Sequence, residues 1–393
     1  MKRIKTIILY FGADASFKAL VQIGYRRRNT NLLRALGEIP DVAVANIQYA
    51  QRTRCFRDIL TGTRSASTSP DNIDITITHW IPKSFPKSSA MNAWINRTII
   101  RRQIKHWTTH SSASIVSWCY WPKGYTLWDL GWNRGRMVFD ADHNIADDPN
   151  LSPDETGRQK VLLKQASSSA TLTISSSRSM NRWFEKHTGA RTALIMNGVD
   201  SHRFPKAKTQ DENLNKHRTI GYLGTLSKWI DYDTLHELVK SHPDQTFSFG
   251  GKSYKLSEQQ HERLNAINEA DNTQWREDVH FDDVPEFLKS LDVGLSLYHS
   301  HPALDVNSMK IYEYLAAGLP VIAKANHSDL AHDFEDLLII IEEGTEHGLA
   351  SAIERGIKLK NDAEWHARRK EFIQRSSWSH RATSVLELVN PKS

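Results

Sequence analysis

The chain has 393 residues, 39% hydrophobic and 24% charged, which suits a globular protein of two ordinary domains. Two cysteines, Cys55 and Cys119, exclude a disulfide framework and point to a reducing compartment, and no apolar run approaches the roughly 18 residues that a membrane-spanning helix needs. The net charge of +6 hides an asymmetry: residues 1–205 carry 29 Lys+Arg against 15 Asp+Glu, residues 206–393 carry 22 against 30. The two halves are therefore expected to meet different partners, and the basic half suits an anionic membrane or acceptor; no helix-turn-helix, zinc-finger or RNP signature supports nucleic acid.

In chain order, residues 5–11 read as the first strand of a parallel sheet. The basic lead and apolar run imitate a signal peptide, but the run is only about seven residues and Asp14 follows without a small-residue cleavage site. The first helix is expected over 29–36, with Arg26, Arg27 and Arg28 at its start. Three cations there oppose the helix dipole, which leaves two readings, a site for an anion or surface and a solvated cluster. Residues 60–75, rich in Ser, Thr, Gly, Asp and Asn, read as loop. Residues 91–107 read as a helix in which Trp94, Ile95, Ile99 and Ile100 interleave with Arg97, Arg101, Arg102 and Lys105. Such a helix lies in a membrane interface or packs its apolar face into a core. Seven of the twelve tryptophans fall between 80 and 132, a density that also suits an interface. Strands over 114–120, 136–139, 171–175 and 193–196 alternate with helices over 155–167 and 178–187, the pattern of a doubly wound α/β domain.

Residues 205–218 form a polar linker. A new α/β unit opens at Thr219 with strand, Gly-bearing turn and helix. Short strands are expected at 246–250, 279–281, 293–297 and 320–323, separated by helices at 256–267, 284–291, 308–317 and 347–359, with a helical tail over 365–388. The expected domains are thus 1–204, 219–364 and a terminal helix over 365–393.

The richest chemistry lies in Asn307–Ala323, NSMKIYEYLAAGLPVIA. A helix starting near Ser308 gathers backbone N–H groups, the Ser308 hydroxyl and the Lys310 ammonium at its positive end, a place for phosphate. Glu313 sits on the same helix, where a carboxylate can accept from sugar hydroxyls. Upstream, TIGYLGTLSK (219–228) offers an open backbone at Gly221 and Gly224, a hydroxyl at Thr225 and charge at Lys228. MNGVDSHRF (196–204) suits a positive-φ turn at Asn197-Gly198, with a structural role. Together these blocks resemble the GT-B glycosyltransferases. The resemblance implies two doubly wound Rossmann-like domains facing a cleft, an N-terminal acceptor domain, a C-terminal nucleotide-sugar domain and a last helix crossing back to the first.

Within that group the chain resembles the membrane-associated glucuronosyltransferase of xanthan assembly, which carries a Ser-Met-Lys tripeptide and a tyrosine placed as Tyr298 but a glutamine where this chain has Glu313, and the family-four-like enzymes, in which a glutamate there is usual. The implied donor contacts are Gly224, Thr225, Tyr298, Ser308, Met309, Lys310 and Glu313, with Asp305 in place of a donor-sugar glutamate and the 278–287 loop near the base. Lys310 is implied to meet the diphosphate and Glu313 the ribose.

VFDADHN (138–144) ends a strand, where α/β folds place ligands. Histidine titrates near neutrality and suits a general base, so His143 is the catalytic candidate, with Asp142 beside it and Asp140 to orient it; a capped loop histidine is the plainer reading. Asp140-x-Asp142 also spells a metal-gripping DxD, but the donor block lies C-terminal to it as in the GT-B enzymes, and that resemblance implies no metal and no cofactor beyond a UDP-sugar substrate. The expected activity is sugar transfer to a glycan or lipid-linked acceptor in bacterial-type surface polysaccharide assembly, by a cytoplasmic protein peripheral on the membrane through Arg26, Arg27, Arg28, Trp94, Arg97 and Arg101. A non-catalytic nucleotide- or glycan-binding protein and a sugar-nucleotide epimerase are the alternatives.

Overall fold

The computed structural model describes residues 4–11, 15–24, 27–49, 65–66, 71–77, 88–109, 112–120, 135–142, 146, 151–204, 217–299, 307–324, 329–341 and 346–390. The chain forms two compact units, one of Met1–Met196 with Trp378–Ser393, the other of Asn197–Ser377.

The first unit runs β1 (Thr6–Phe11), α1 (Phe17–Ile23), α2 (Arg28–Glu38), β2 (Val42–Tyr49), β3 (Ser65–Ala66), β4 (Asn72–Ile77), α3 (Ser88–Thr109), β5 (Ser114–Tyr120), β6 (Arg136–Ala141), α4 (Pro153–Ser169), β7 (Leu172–Ser175), α5 (Arg178–Thr188) and β8 (Thr192–Leu194). The described strands make one sheet in the order β3-β4-β2-β1-β5-β6-β7-β8, parallel except for the β3–β4 edge. Residues of β1 alternate between two cores. Ile7, Leu9 and Phe11 face a cluster closed by Ile100, Ile104 and Trp107 of α3, while the hydroxyl of Tyr10 donates to the Asn29 carbonyl of α2 at 2.6 Å. Local chemistry fixes the helix starts. At α4 the Ser152 hydroxyl accepts from Glu155 N–H and the Glu155 carboxylate accepts from Ser152 N–H, with Pro153 in the first turn, a reciprocal cap that satisfies two otherwise orphaned donors.

The second unit runs β9 (Thr219–Leu223), β10 (Leu226–Ser227), α6 (Tyr232–Ser241), β11 (Thr246–Gly250), β12 (Ser253–Tyr254), α7 (Glu258–Asn268), β13 (Thr273–Arg276), α8 (Val284–Lys289), β14 (Val293–Ser296), α9 (Met309–Ala316), β15 (Val321–Lys324), α10 (Leu330–Asp333), β16 (Ile339–Ile341), α11 (Glu346–Lys360) and α12 (Ala363–Arg375). Its parallel sheet has the order β13-β11-β9-β14-β15-β16. One face is covered by a core that includes Leu235 and Leu238 of α6, Leu264 of α7 and Ile353 of α11. The other is covered by Phe287 of α8, Ile311 and Leu315 of α9, and Trp365 and Phe372 of α12.

Several expectations are revised. β2 was not expected and β4 falls in the stretch read as loop, although Ile73, Ile75 and Ile77 alternate inward at 3% exposure or less. Residues 279–281 are not a strand; β13 lies earlier, at Thr273–Arg276, and the 278–283 loop turns where His280 accepts from Asp282 N–H. The tail is two helices. α12 stays in the second unit, and only the last helix, α13 (Trp378–Val389), joins the first, burying Trp378, Ala382, Val385 and Val389 as it packs against α2. The boundary therefore falls at residues 196 and 377 rather than 204 and 364. Residues 205–216 of the expected linker lie outside the described residues.

Candidate functional site

In both units the strand order reverses direction beside the first strand. In the second unit β11 and β13 run outward on one side of β9, and β14, β15 and β16 on the other. The C-terminal ends at such a reversal leave a crevice where α/β proteins bind ligands. In this unit that crevice lies between β9 and β14.

There the chain leaves β9 through Gly224, at φ 136°, with Gly224 N–H donating to the Gly250 carbonyl at 2.7 Å. A Cβ on Gly224 would lie 2.0 Å from Cε of Lys310, and one on Gly251, at φ 128°, 2.2 Å from the Gly224 carbonyl oxygen. Only glycine fits at these two positions. After β14 the chain carries Tyr298, held by pairing of 297–299 with 229–231. α9 enters from the opposite side, and its Lys310 Nζ donates to Tyr298 Oη at 2.9 Å. The ammonium lies 5.4 Å and 5.7 Å from the ring centres of Tyr222 and Tyr298. Burial pushes the Tyr298 phenol up, but the Lys310 ammonium, with hydrogen bonds to Tyr222 and Ser308, takes it below its ordinary value.

α9 is anchored along its length. Its apolar residues Ile311, Tyr312, Tyr314 and Leu315 are buried, and Tyr314 Oη accepts from Leu223 N–H at 2.8 Å. At its C-terminus Arg369 of α12 donates to the Leu315 carbonyl, a cation where the dipole favours one. At its N-terminus Ser308 makes no side-chain cap to the helix. The preceding Asn307 is buried and tied twice to Asn197, whose N–H donates to Asn307 Oδ1 at 3.0 Å and whose Nδ2 donates to the Asn307 carbonyl. The Asn197–Gly198 block does not form the expected positive-φ turn; Asn197 instead braces the start of α9. Glu313 is partly buried one turn on. Burial pushes its carboxyl up, opposed by Arg203 and then Lys310 and assisted by Asp200. Met309 shares the first turn, and Thr225 is exposed on the loop after β9. Asp305 lies outside the described residues.

A buried ion pair also borders this edge. Lys324, ending β15, donates to Asp231 at 2.5 Å, and Asp231 caps α6 by accepting from Thr234 N–H at 3.0 Å. Burial raises the Asp231 carboxyl, but the Lys324 and Thr234 bonds together take it below the usual range. The pair joins residues 93 apart, so nothing local in the sequence announces it.

In the first unit the sheet reverses between β1 and β5. The cluster at that edge corrects the reading of two residues. Arg28 opens α2 but does not face a surface. Its side chain is 1% exposed and its Nε donates to Asp140 Oδ1 at 2.9 Å, with Asp140 at 0%. Asp140, expected to orient His143, is instead committed to Arg28. The buried carboxylate answers the cation at the helix start, which resolves the apparent clash with the dipole. Burial pushes the Asp140 carboxyl up to about 6, against the pull of Arg28. Asp142 accepts from Tyr120 Oη at 2.7 Å, and its carbonyl accepts from the Ser176 hydroxyl at 2.5 Å. Burial, then Asp142, hold the Tyr120 phenol well above its ordinary value, so Tyr120 remains a donor. His143 and Arg26 lie outside the described residues. Among the described residues no group of three or more His, Cys, Asp or Glu converges as a metal site.

α3 places Ala93, Asn96, Ile100, Ile104 and Trp107 inward. Trp107 and Trp118 are core residues, at 4% and 0% exposure, whereas Trp94 is 63% exposed; the tryptophan-rich stretch is only partly a surface feature. Met91, Arg101, Arg102 and Lys105 are exposed with Trp94, and Arg97 is half-buried. At about 100° per residue the five exposed positions share one stripe of the helix. No helix among the described residues is long and apolar enough to cross a membrane. Arg27 is exposed at the start of α2.

Residues 232–387 match the family described as "Glycosyl transferase-like". No curated protein matches the chain. Among solved structures, sucrose-phosphate synthase from Thermosynechococcus elongatus superposes with a TM-score of 0.63 at 15% identity, covering 98% of each chain. Anabaena HepE in complex with UDP gives 0.61 at 15%, covering 98% of this chain and 100% of that one. An E. coli trehalose-6-phosphate protein bound with UDP-2-fluoro glucose gives 0.64 at 11%, covering 99% of each. The chain has the GT-B fold. In that fold the Gly224–Lys310–Tyr298 cluster occupies the crevice of the C-terminal Rossmann-like unit.

The Arg28–Asp140 pair gives a direct test. Arg28→Met leaves a buried carboxylate without its cation and is expected to destabilise the first unit by about 3–5 kcal/mol. The folded Asp140 value lies above that of a free aspartate, so its ionisation is disfavoured in the fold. Stability linked to it is fully present below the free value and lost as pH rises through the folded one. Without Arg28 the carboxyl rises further, so urea denaturation should show a larger deficit at about pH 8 than at about pH 5.

Proposed function

We propose that the protein is a glycosyltransferase that moves a sugar from a UDP-linked donor to a hydroxyl of a glycan or lipid-linked acceptor. The observation that carries this reading is the Lys310 ammonium, held over Gly224 by Tyr298 at the N-terminus of α9. Breaking the sugar–phosphate bond leaves a diphosphate with growing negative charge. A fixed ammonium, the first-turn N–H groups of α9 and the Gly224–Thr225 loop are aimed where that charge develops, which lowers the barrier without reorganisation. Ser308 and Met309 flank the phosphates, and Glu313 accepts from ribose hydroxyls. The UDP bound to HepE and the UDP-2-fluoro glucose of the E. coli neighbour support a nucleotide-sugar at this position. Lys310 and α9 supply the positive charge, so the reaction needs no metal and no further cofactor.

On the acceptor side, His143 takes the proton of the acceptor hydroxyl if the anomeric centre inverts. Asp142, held by Tyr120 and Ser176, flanks it. If the centre is retained, His143 positions the acceptor. The exposed Met91–Trp94 and Arg101–Arg102–Lys105 stripe favours an acceptor at an anionic membrane surface, with apolar anchors beside cations. This suits a cytoplasmic, peripheral enzyme of surface polysaccharide assembly acting on a lipid-linked sugar.

Calorimetry with UDP tests the donor site. Lys310→Ala should weaken binding about tenfold or more, and unchanged affinity removes the phosphate role. Transfer assays test the base: His143→Ala should abolish transfer while sparing UDP binding, and wild-type turnover sinks it. Donor consumption without an acceptor, giving an isomerised sugar nucleotide, marks an epimerase; UDP binding with no turnover marks a binding protein. Vesicles of anionic lipid should pellet the protein at low salt and release it as salt rises. Trp94→Ala with Arg101→Glu should abolish the pelleting, and unaltered pelleting removes α3 from the membrane contact.

A further inference from the structure

β15 runs Val-Ile-Ala-Lys, and all four residues are buried. An apolar residue would fill the last position more simply, because taking a lysine and a carboxylate out of water seldom gains stability over a hydrophobic pair. Lys324 instead donates to Asp231 at 2.5 Å, and Asp231 is buried as well. The same carboxylate accepts from the Thr234 N–H at 3.0 Å and the Thr234 hydroxyl at 2.7 Å, so three donors set its orientation. In the sheet β14 lies between β9 and β15. Asp231 stands on the chain that leaves β9 and Lys324 ends β15, so the ion pair ties together the two stretches that flank the exit of β14. That exit is the 297–299 segment. Its Leu297 carbonyl accepts from Asp231 N–H at 3.0 Å, its His299 N–H donates to the Trp229 carbonyl at 3.0 Å, and Tyr298 pairs antiparallel with Ile230. Asp231 thus holds β15 by its side chain and Leu297 by its backbone. The next residue, Tyr298, accepts from Lys310 at 2.9 Å, where the lysine lies over Gly224.

We propose that Asp231 and Lys324 are positioning residues of the donor site: their ion pair fixes the turn that carries Tyr298, and Tyr298 sets where the Lys310 ammonium stands over Gly224. This inference rests on the reading of Lys310 as the diphosphate contact. Neither member of the pair is itself offered to a ligand, since freeing a buried and paired lysine is too costly. A single hydrogen bond to a phenol restrains an ammonium only as well as the phenol is itself held. Its backbone must therefore be rigid if the cation is to meet a phosphate without reorganisation. Apolar contacts are non-directional, whereas an ion pair with a bonded carboxylate specifies one arrangement. That suits Asp231 and Lys324 to fixing the turn rather than to adding stability.

The test uses UDP and the full chain. Lys324→Met with Asp231→Asn removes both charges together, leaves no orphaned ion, and keeps an asparagine to cap α6. This double variant should melt near the wild-type temperature yet bind UDP about fivefold or more weakly by calorimetry. With Lys310→Ala added, removing the pair should weaken UDP binding no further, because the pair acts through that ammonium. A pair that only supported the fold would do the reverse, lowering the melting temperature and sparing affinity. Wild-type UDP affinity in the folded double variant therefore overturns the proposal, as does a loss of equal size with and without Lys310. Should the double variant fail to fold, Asp231→Asn alone, which keeps the cap, is measured in the same cycle. It is expected to lose affinity only while Lys310 is present, and wild-type affinity there overturns the proposal. Unchanged UDP affinity in Lys310→Ala alone overturns the Lys310 reading itself, whatever the pair does.

Discussion

Parallel strand pairing is the constraint from which both clusters follow. Strands that all run one way bring every C-terminal end to one edge of the sheet, and each link must return over a face. Where the order reverses, neighbouring links leave to opposite faces and the edge opens. In the second unit that opening separates β9 from β14, and Gly224, Tyr298 and Lys310 arrive there from three stretches of chain. The first unit repeats the geometry, with Arg28, Tyr120, Asp140 and Asp142 gathered at its own reversal.

The two clusters differ in electrostatics, and the difference fits the roles assigned to them. In the first unit Arg28 is cancelled by Asp140 in the dry interior, so its charge holds architecture and is not presented to a ligand. In the second, Lys310 rests on a phenol, a partner that a dianionic phosphate can outbid. A lysine paired to a buried carboxylate, as Lys324 is to Asp231, would be too costly to free.

The sequence was legible where chemistry is local. The continuous apolar strands and the run from Asn307 to Ala323 carry their meaning within a few residues, and the alternation at Ile73, Ile75 and Ile77 was there to be seen inside a polar stretch. The reading failed where the deciding partner is distant. Arg28 looked like a surface cation because Asp140 stands 112 residues away. Trp94 and Trp107 lie on one helix with opposite fates, which helical phase could have separated. Residues 279–281 carried strand-like types, yet the His280 ring accepts from Asp282 N–H and the His280 carbonyl accepts from Asp283 N–H, which turns the backbone.

The last helix has a consequence for how the protein comes into being. α13 belongs to the first unit, yet its residues leave the ribosome after the whole of the second. The face of α2 that meets Trp378, Ala382, Val385 and Val389 stays uncovered through the synthesis of some 180 intervening residues, Asn197–Ser377. The second unit can therefore finish folding before the first, and a chain lacking α13 would leave an apolar scar on α2.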